Sequence, residues 1–350
     1  MIHGDRLIHV HVGYQLPDGL PSPDVYFTPG YGRAACVTEE GEWALLEAFD
    51  GAWQMPLIVR TLVDGTKDAI TPHFSGVYAS QSLSQFQIRE AWSATVRSLR
   101  ALGIVSVVLR HSPLVPQAPN LPGQQSIVSG HPTFVLEPTD SDSAWSGLDK
   151  HCRNKVRKAL KGGYTGNIRR ASRQDVAPDS DFRRIYEQTM QRVDAPALYV
   201  FGDQYYQELF AGMSPNLFVA EVRDQTGVVV SSGLRIRHAD RLHAHLAGSY
   251  RDDARMGTNN LMMWTATEFT VDQGLRQFHI GGGVIPDDSL FKFKSSFGGR
   301  RLEYGISGLI IDHEVYEAHV DTRAKECDTT SDALLSATYF PAYRGGTPRV

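Results

Sequence analysis

Residues 217–283 set the tightest limit on what this chain can fold into. Leu217 to Arg223 alternates apolar and polar side chains, as a strand with one face in a core does. Asp224-Gln225-Thr226-Gly227 supplies turn chemistry, and Val228 to Arg237 follows as a second strand. His238-Ala239-Asp240 turns the chain again into Arg241 to Tyr250, completing an antiparallel meander of three strands. Asn259 to Gln273 then places Leu261, Trp264 and Phe269 at helical spacing, with Gly274 where a left-handed cap belongs. Arg276 to Ile280 is a further strand, and it runs into Gly281-Gly282-Gly283.

The first half repeats that order. Trp43 to Phe49 and Trp53 to Leu62 read as strands split by Asp50-Gly51, and a short strand near Asp68 to Pro72 follows the turn at Asp64-Gly65. Ser84 to Leu102 is a helix whose Phe86, Ile88, Trp92, Val96 and Leu99 share a face, and Gly103 ends it. Ile104 to Leu109 is the buried strand that comes after. Strands, then a helix, then a strand, occurs twice, and the repeat is one of pattern rather than of residues. Between the halves, Pro113 to Gly130 reads as a surface loop, Trp145 to Leu160 as one helix, and Asp181 to Arg192 and Gln204 to Phe210 as two more. The Thr/Ser-rich and then Pro/Gly/Arg-rich stretch from Asp328 reads as a partly disordered tail.

A chain of 350 residues has room for two packed domains, and 41% hydrophobic with 21% charged residues is the composition of an ordinary globular protein. The net charge of −4 means that a polyanion has to be held by a local basic patch. The opening residues lack a basic region followed by an apolar one, and no apolar run approaches the roughly 20 residues that span a bilayer. Cys36, Cys152 and Cys327 are far apart and odd in number, so the reading is a reduced cytoplasmic protein with incidental thiols.

Two segments carry more than periodicity. One is Trp145 to Ala159, with Leu148, Lys150, Arg153, Asn154, Lys155, Arg157 and Lys158. The other runs from Asn259-Asn260 through His279-Ile280-Gly281-Gly282-Gly283 to Leu290-Phe291-Lys292-Phe293-Lys294 and Phe297-Gly298. Together they resemble the Fem-type (FemABX-like) branch of the GNAT superfamily, most closely over residues 140–300. The resemblance implies an α/β (α+β) chain of two tandem GNAT-like domains, each a mixed, mostly antiparallel sheet flanked by helices. Residues 1–140 form the first domain, completed by 302–325; residues 141–301 form the second and carry the catalytic segment; residues 326–350 are a C-terminal tail. The resemblance also implies amide formation by acyl transfer to an amine.

Such a reaction passes through a tetrahedral oxyanion, which positive charge or N–H donors must meet. The family's Phe-Lys pair sits at the reacting carbonyl, and the matching residues are Phe293, shaping the channel, and Lys294, stabilising the oxyanion. Lys150, Arg153, Arg157 and Lys161 share one helical face, with Lys158 beside them and Lys292 near the catalytic pair. They are candidates for binding tRNA or other phosphates, although the same spacing fits a solvated charged face. Tyr199, Tyr205 and Tyr206 resemble the family's substrate-binding region, Arg192 stands nearest to its substrate-binding arginine, and Asn260 belongs to the matching motif. His243 and His245 lie on one face of a strand and suit proton transfer, substrate binding or a structural role. His73 ends a strand in the first half and is a further substrate-binding candidate. No spacing of ligands points to a metal, and no tightly bound cofactor is expected.

Acyl-CoA enzymes of the superfamily carry a glycine-rich loop that cradles pyrophosphate at a helix N-terminus. The stretch Arg251 to Asn260 holds one glycine, Gly257, beside Asp252 and Asp253, which repel phosphate. The donor expected is therefore aminoacyl-tRNA, presenting its 3′ acceptor end, and the acceptor an amine of a small molecule, peptide or cell-wall precursor. An acyl-CoA-dependent N-acyltransferase is the alternative, and a non-catalytic module binding RNA or a partner is a second one.

Overall fold

A computed structural model describes residues 7–119, 121–283 and 288–347. The six opening residues and Val284 to Asp287, inside the expected catalytic segment, lie outside the described residues. In chain order the elements begin with β1 (His9–Val12), α1 (Pro29–Glu39), β2 (Glu42–Ala48), β3 (Trp53–Thr61), β4 (Lys67–Ile70), β5 (Tyr78–Ala79), α2 (Gln85–Ala101) and β6 (Ile104–Arg110). Next come β7 (Gln124–Leu136), α3 (Ser141–Gly147), α4 (Lys150–Lys161), β8 (Thr165–Arg170), α5 (Asp181–Arg192) and α6 (Asp203–Met213). Then follow β9 (Leu217–Arg223), β10 (Val229–His238), β11 (Arg241–Ser249), α7 (Arg251–Met256), α8 (Thr258–Asp272), β12 (Gln277–Gly281) and α9 (Ser289–Ser295). The chain closes with β13 (Arg300–Ile310), α10 (His313–Glu326) and α11 (Ser331–Ser336).

The chain divides into two units, Met1–Gly130 with Glu303–Val350 and His131–Leu302, and β7 and β13 run across the boundaries. The first carries the strand order β1-β2-β3-β4-β6-β13, with β5 on β3. Its β4–β6 pair is parallel and the others antiparallel. The second carries β7-β12-β11-β10-β9-β8, with β11 and β12 the parallel pair. In each unit, then, antiparallel strands lead through a helix into one parallel strand, which is the order that the residue pattern repeats.

Local chemistry fixes the helix ends. Ser84 and Gln87 close a capping box on α2, Ser84 Oγ accepting from the Gln87 N–H at 3.3 Å and Gln87 Oε1 from the Ser84 N–H at 2.9 Å. In the first core, Trp53, Met55 and Leu57 of β3 pack with Trp92 and Leu99 of α2 and Leu109 of β6. In the second, Leu242, Phe278 and Ile280 pack with Leu261, Met262 and Trp264 of α8 and with Cys152, Val156 and Ala159 of α4. Each such side chain contributes about 1.5–3 kcal/mol by leaving water.

Four expectations are corrected. Trp145 to Leu160 is two helices, because Leu148 is extended (ψ 143°) and the Asp149 carboxylate accepts from the Cys152 N–H at 2.6 Å, starting α4 afresh. The surface loop from Pro113 ends at Pro122-Gly123, since Gln124 already belongs to β7. Arg251 to Met256 is helix α7 rather than loop, closed by Gly257 at φ +97°. The tail is ordered through Thr347: Tyr343 is buried, and Arg344 reaches the fully buried Asp68 with Nε at 2.6 Å and Nη2 at 3.0 Å.

Candidate active site

The site lies where β11 and β12 part. Their pairing covers Arg241↔Gln277, Leu242↔Phe278 and His243↔His279 and then stops, although β11 continues to Ser249 and β12 to Gly281. Two parallel strands that separate leave main-chain groups between them unpaired by each other, and such groups need a partner. Gly281 and Gly282 shape the end of this gap. Gly281 stands at φ +74°, a backbone state that L side chains rarely adopt. A Cβ at Gly282 would lie 2.0 Å from the carbonyl oxygen of Pro132, so β7 approaches the strand end as only glycine permits.

Lys294 reaches back to this point from α9. Its Nζ donates to the Gly282 carbonyl at 2.8 Å, and a Cβ on Gly281 would sit 2.9 Å from it. Asp288 caps α9, its carboxylate accepting from the Phe291 N–H at 2.5 Å, and so aims the helix. Burial pushes the Lys294 ammonium down to about 8; the Asp288 charge opposes that shift and the Arg235 charge adds to it. One of the three ammonium protons is engaged with Gly282, which leaves two for an incoming oxygen. Phe293 is half-buried and packs edge-on against Phe297 at 5.2 Å, on the rim of the second core.

Arg235 does not stand out in the residue pattern. It is fully buried, yet among the described residues only the Leu234 carbonyl (2.9 Å) and the Met263 sulfur (3.5 Å) accept from it, and its Nε has no partner there. The Phe278 ring lies 5.9 Å from its guanidinium carbon. Burial lowers even this arginine to about 10. In the alternation Leu234-Arg235-Ile236-Arg237 it reads as a solvent-facing position; β10 is buried through Ile236 on both faces, so that rule fails here. Exchanging a buried cation that lacks a counter-charge for an apolar chain of similar length removes a desolvation cost. Arg235→Met is therefore expected to raise unfolding stability by about 1–3 kcal/mol in urea titration. The same change should move the alkaline limb of activity upward, because Lys294 loses a repelling charge. A destabilised variant would show that an anion reaches Arg235 in the folded protein.

The histidines occupy the other face. Arg235 pairs in register with Ala244 and faces Met263 of α8, so His243 and His245 point the opposite way. His245 Nε2 and Tyr205 Oη of α6 are 2.7 Å apart. Burial, then the charges of His243 and Arg235, hold His245 down at about 4, so it is neutral at pH 7. His243 is fully buried and meets His279 edge-on at 5.6 Å, and His279 Nε2 lies 2.8 Å from Thr133 Oγ1.

The other expected residues scatter. Tyr206 is a core residue with the Arg183 guanidinium carbon 4.0 Å from its ring centre. Tyr199 is half-buried, and its carbonyl accepts from Tyr186 Oη at 2.8 Å. Arg192 donates to the Ser249 carbonyl at 2.9 Å. Asn260 is buried and donates to Cys152 Sγ at 3.4 Å, tying α8 to α4. His73, at φ +33° in the other unit, stacks on Phe74 at 4.1 Å. On α4, Lys150, Arg157 and Lys161 are exposed, opposite the buried Cys152, Val156 and Ala159. Arg153 folds back onto the Ser146 and Leu148 carbonyls, and Lys158 donates to the Arg255 carbonyl at 3.1 Å. Lys292 is exposed on α9.

Residues 148–294 match a family model described as an acetyltransferase (GNAT) domain. That match covers less than half of the chain, and over those residues the strand–helix–strand order is similar to that of a GNAT domain. Among solved structures the chain is similar to FemX, with TM-score 0.67 and 11% identity, covering 86% of this chain and 95% of that one. It is also similar to L-PGS from Bacillus licheniformis, with TM-score 0.51 and 9% identity over 81% of this chain and 91% of that one. A third is the C-terminal domain (DUF2156) of a protein named as a putative lysylphosphatidylglycerol synthetase from Agrobacterium fabrum. Its TM-score is 0.50 and its identity 12%, over 84% of this chain and 95% of that one. The fold is thus like that of FemX, with the GNAT match lying in its second unit. Comparison with curated protein sequences returns no match. Among the described residues no helix is long and apolar enough to cross a membrane.

Proposed function

We propose that this chain transfers an aminoacyl group from aminoacyl-tRNA to an amine of a small molecule, peptide or cell-wall precursor. The observation that carries the donor is the seat of α4. A Cβ on Gly257 would lie 2.4 Å from the carbonyl oxygen of Lys155, so the α4 backbone rests on the start of α8. Thr258 is fully buried there and accepts from Ser231 Oγ at 2.7 Å. A coenzyme A pyrophosphate needs free N–H groups at a helix N-terminus. Here α4 stands in that place and offers exposed Lys150, Arg157 and Lys161 instead, which suits an extended phosphate backbone.

In the reaction the amine nitrogen attacks the ester carbonyl at the tRNA 3′ end. The C–N bond forms, the ester C–O bond breaks, and an amine proton leaves with the ribose oxygen. Lys294 meets the intervening oxyanion, and Phe293 borders the channel that the acyl group enters. Loss of product formation when RNase is added to a coupled assay is the expected result. RNase-resistant turnover would sink the donor assignment. Turnover with acetyl-CoA in that case would favour the second reading, an acyl-CoA N-acyltransferase, to which the acetyltransferase description of residues 148–294 points.

The α4 face gives its own prediction. Removing one phosphate-binding cation lowers the salt dependence of binding by about one unit in the log–log slope. The triple change Lys150→Glu, Arg157→Glu, Lys161→Glu is expected to weaken binding of charged tRNA and to reduce that slope by about 2–3. A filter-binding series over salt concentration reads it, and an unchanged slope would remove α4 from the tRNA path.

A further inference from the structure

A second cavity lies within the same unit, apart from the parting of β11 and β12. The connection from α5 to α6 encloses about 300 Å³ against Tyr186, Glu187, Met190, Asp194, Tyr199 and Phe201. Val200, 62% exposed, lines the cavity, and Val193 (57%) and Leu198 (68%) of the same connection are exposed too, an arrangement unusual for a solvated loop. The walls are aromatic, and the nine lining residues include two carboxylates and no cation. Glu187 shares its charge with Arg183 Nε at 2.8 Å and remains half exposed.

The cavity is tied to the strand that borders the candidate active site. Tyr186, Phe201, Tyr205 and His245 form a ladder of nearly parallel rings, with centroid steps of 6.4, 4.1 and 6.3 Å and interplanar angles of 22°, 18° and 24°. The last rung is bonded as well as stacked, through Tyr205 Oη and His245 Nε2. His245 stands on β11 just past the last residue paired with β12. A ligand that presses on Phe201 therefore acts on the edge of the gap through two rigid rings.

We propose that this cavity is a subsite for the acceptor, apart from its reacting nitrogen, and takes an organic ammonium with an apolar body, an aromatic or alkyl amine rather than an acid. Aromatic faces attract a cation, carboxylates at the rim pair with it, and apolar lining such as Val200 covers its hydrocarbon part. Since Arg183 already pairs with Glu187, Asp194 carries most of the preference for a cation, and none of the nine lining residues is cationic. The assignment rests on the proposed acyl transfer to an amine, and it names the chemistry by which the molecule carrying that amine is held.

Phenethylamine, 2-phenylethanol and 3-phenylpropionate are near-equal in size and differ in charge, so they serve as probes. Titration of the full chain at pH 7, followed by NMR or calorimetry, is expected to show the amine binding about tenfold more tightly than the alcohol and the acid weakest. The double variant Glu187→Gln, Asp194→Asn should bring amine and alcohol within about threefold of each other, and Tyr199→Ala should weaken both. Equal binding of all three probes, or no binding of the amine, overturns the proposal. These titrations need no acyl donor. Amine binding beside RNase-resistant turnover would leave the subsite standing and remove the tRNA, whereas tRNA-dependent turnover that phenethylamine does not inhibit would remove the subsite alone.

Discussion

Replacing Lys294 by Met should lower kcat by about 10²–10³-fold and leave the fold intact, since losing one donor to a developing oxyanion has that cost. The side chain is half-buried and its single hydrogen bond is to a carbonyl at a strand end, so a methionine fills the same space. Far-UV circular dichroism and the melting temperature separate a chemical loss from an unfolded protein. The pH profile supplies a second reading. The proposed role needs the cation, which persists below about 8 and is lost above it, so activity should fall as pH rises through that value. The residual activity of Lys294→Met should lack that alkaline limb. Wild-type turnover in the variant, or a limb that stays in place, would take Lys294 out of the chemistry.

The largest expected effect on stability belongs to Asp68. It is fully buried and accepts from Arg60 Nε at 2.8 Å, from Arg344 Nε and Nη2 at 2.6 and 3.0 Å, and from Tyr343 Oη at 3.3 Å. Removing the anion from such a group leaves guanidinium charge without its partner, which costs about 3–5 kcal/mol. Asp68→Ala should shift urea unfolding by that amount and open α10 and α11 to hydrogen exchange, since Tyr343 packs on Tyr316 of α10 at 5.2 Å. A shift below about 1 kcal/mol would mean that β4 and the residues after α11 are held together by packing alone.

Much of the second unit is legible because its signals are local. Alternation fixes β9 to β11 to within a residue or two, and Gly274 at φ +60° ends α8 as its position in the pattern implies. The break between α3 and α4 is harder to see, because Gly147-Leu148-Asp149 interrupts a helical pattern that resumes at once in α4. Its local signals are Gly147 at the end of α3 and the Asp149 N-cap of α4. The order of the tail is not local at all. Its composition is that of a linker, and what fixes it is Asp68, 276 residues away from Arg344 along the chain. At the site, Lys294 is legible through resemblance and lies against the glycines of the same motif. Arg235 is not legible, because its partners are a sulfur, a carbonyl and a ring rather than a charge.

The partition of the chain also bears on how it is made. His131–Leu302 is one continuous stretch, whereas the other unit needs residues from both sides of it. On the ribosome the later-coded unit is therefore whole while the earlier-coded one still waits for a strand. β6 can already pair with β4 but gains its second neighbour only when Ile306 emerges to pair with Arg110, roughly 10–40 s after Arg110 was made. Throughout that interval the nascent β6 edge and the Asp68 carboxylate are uncovered. A chain so ordered is most exposed to aggregation midway through its own translation, and slowing the codons of 131–302 should lower its yield more than slowing those after Arg344.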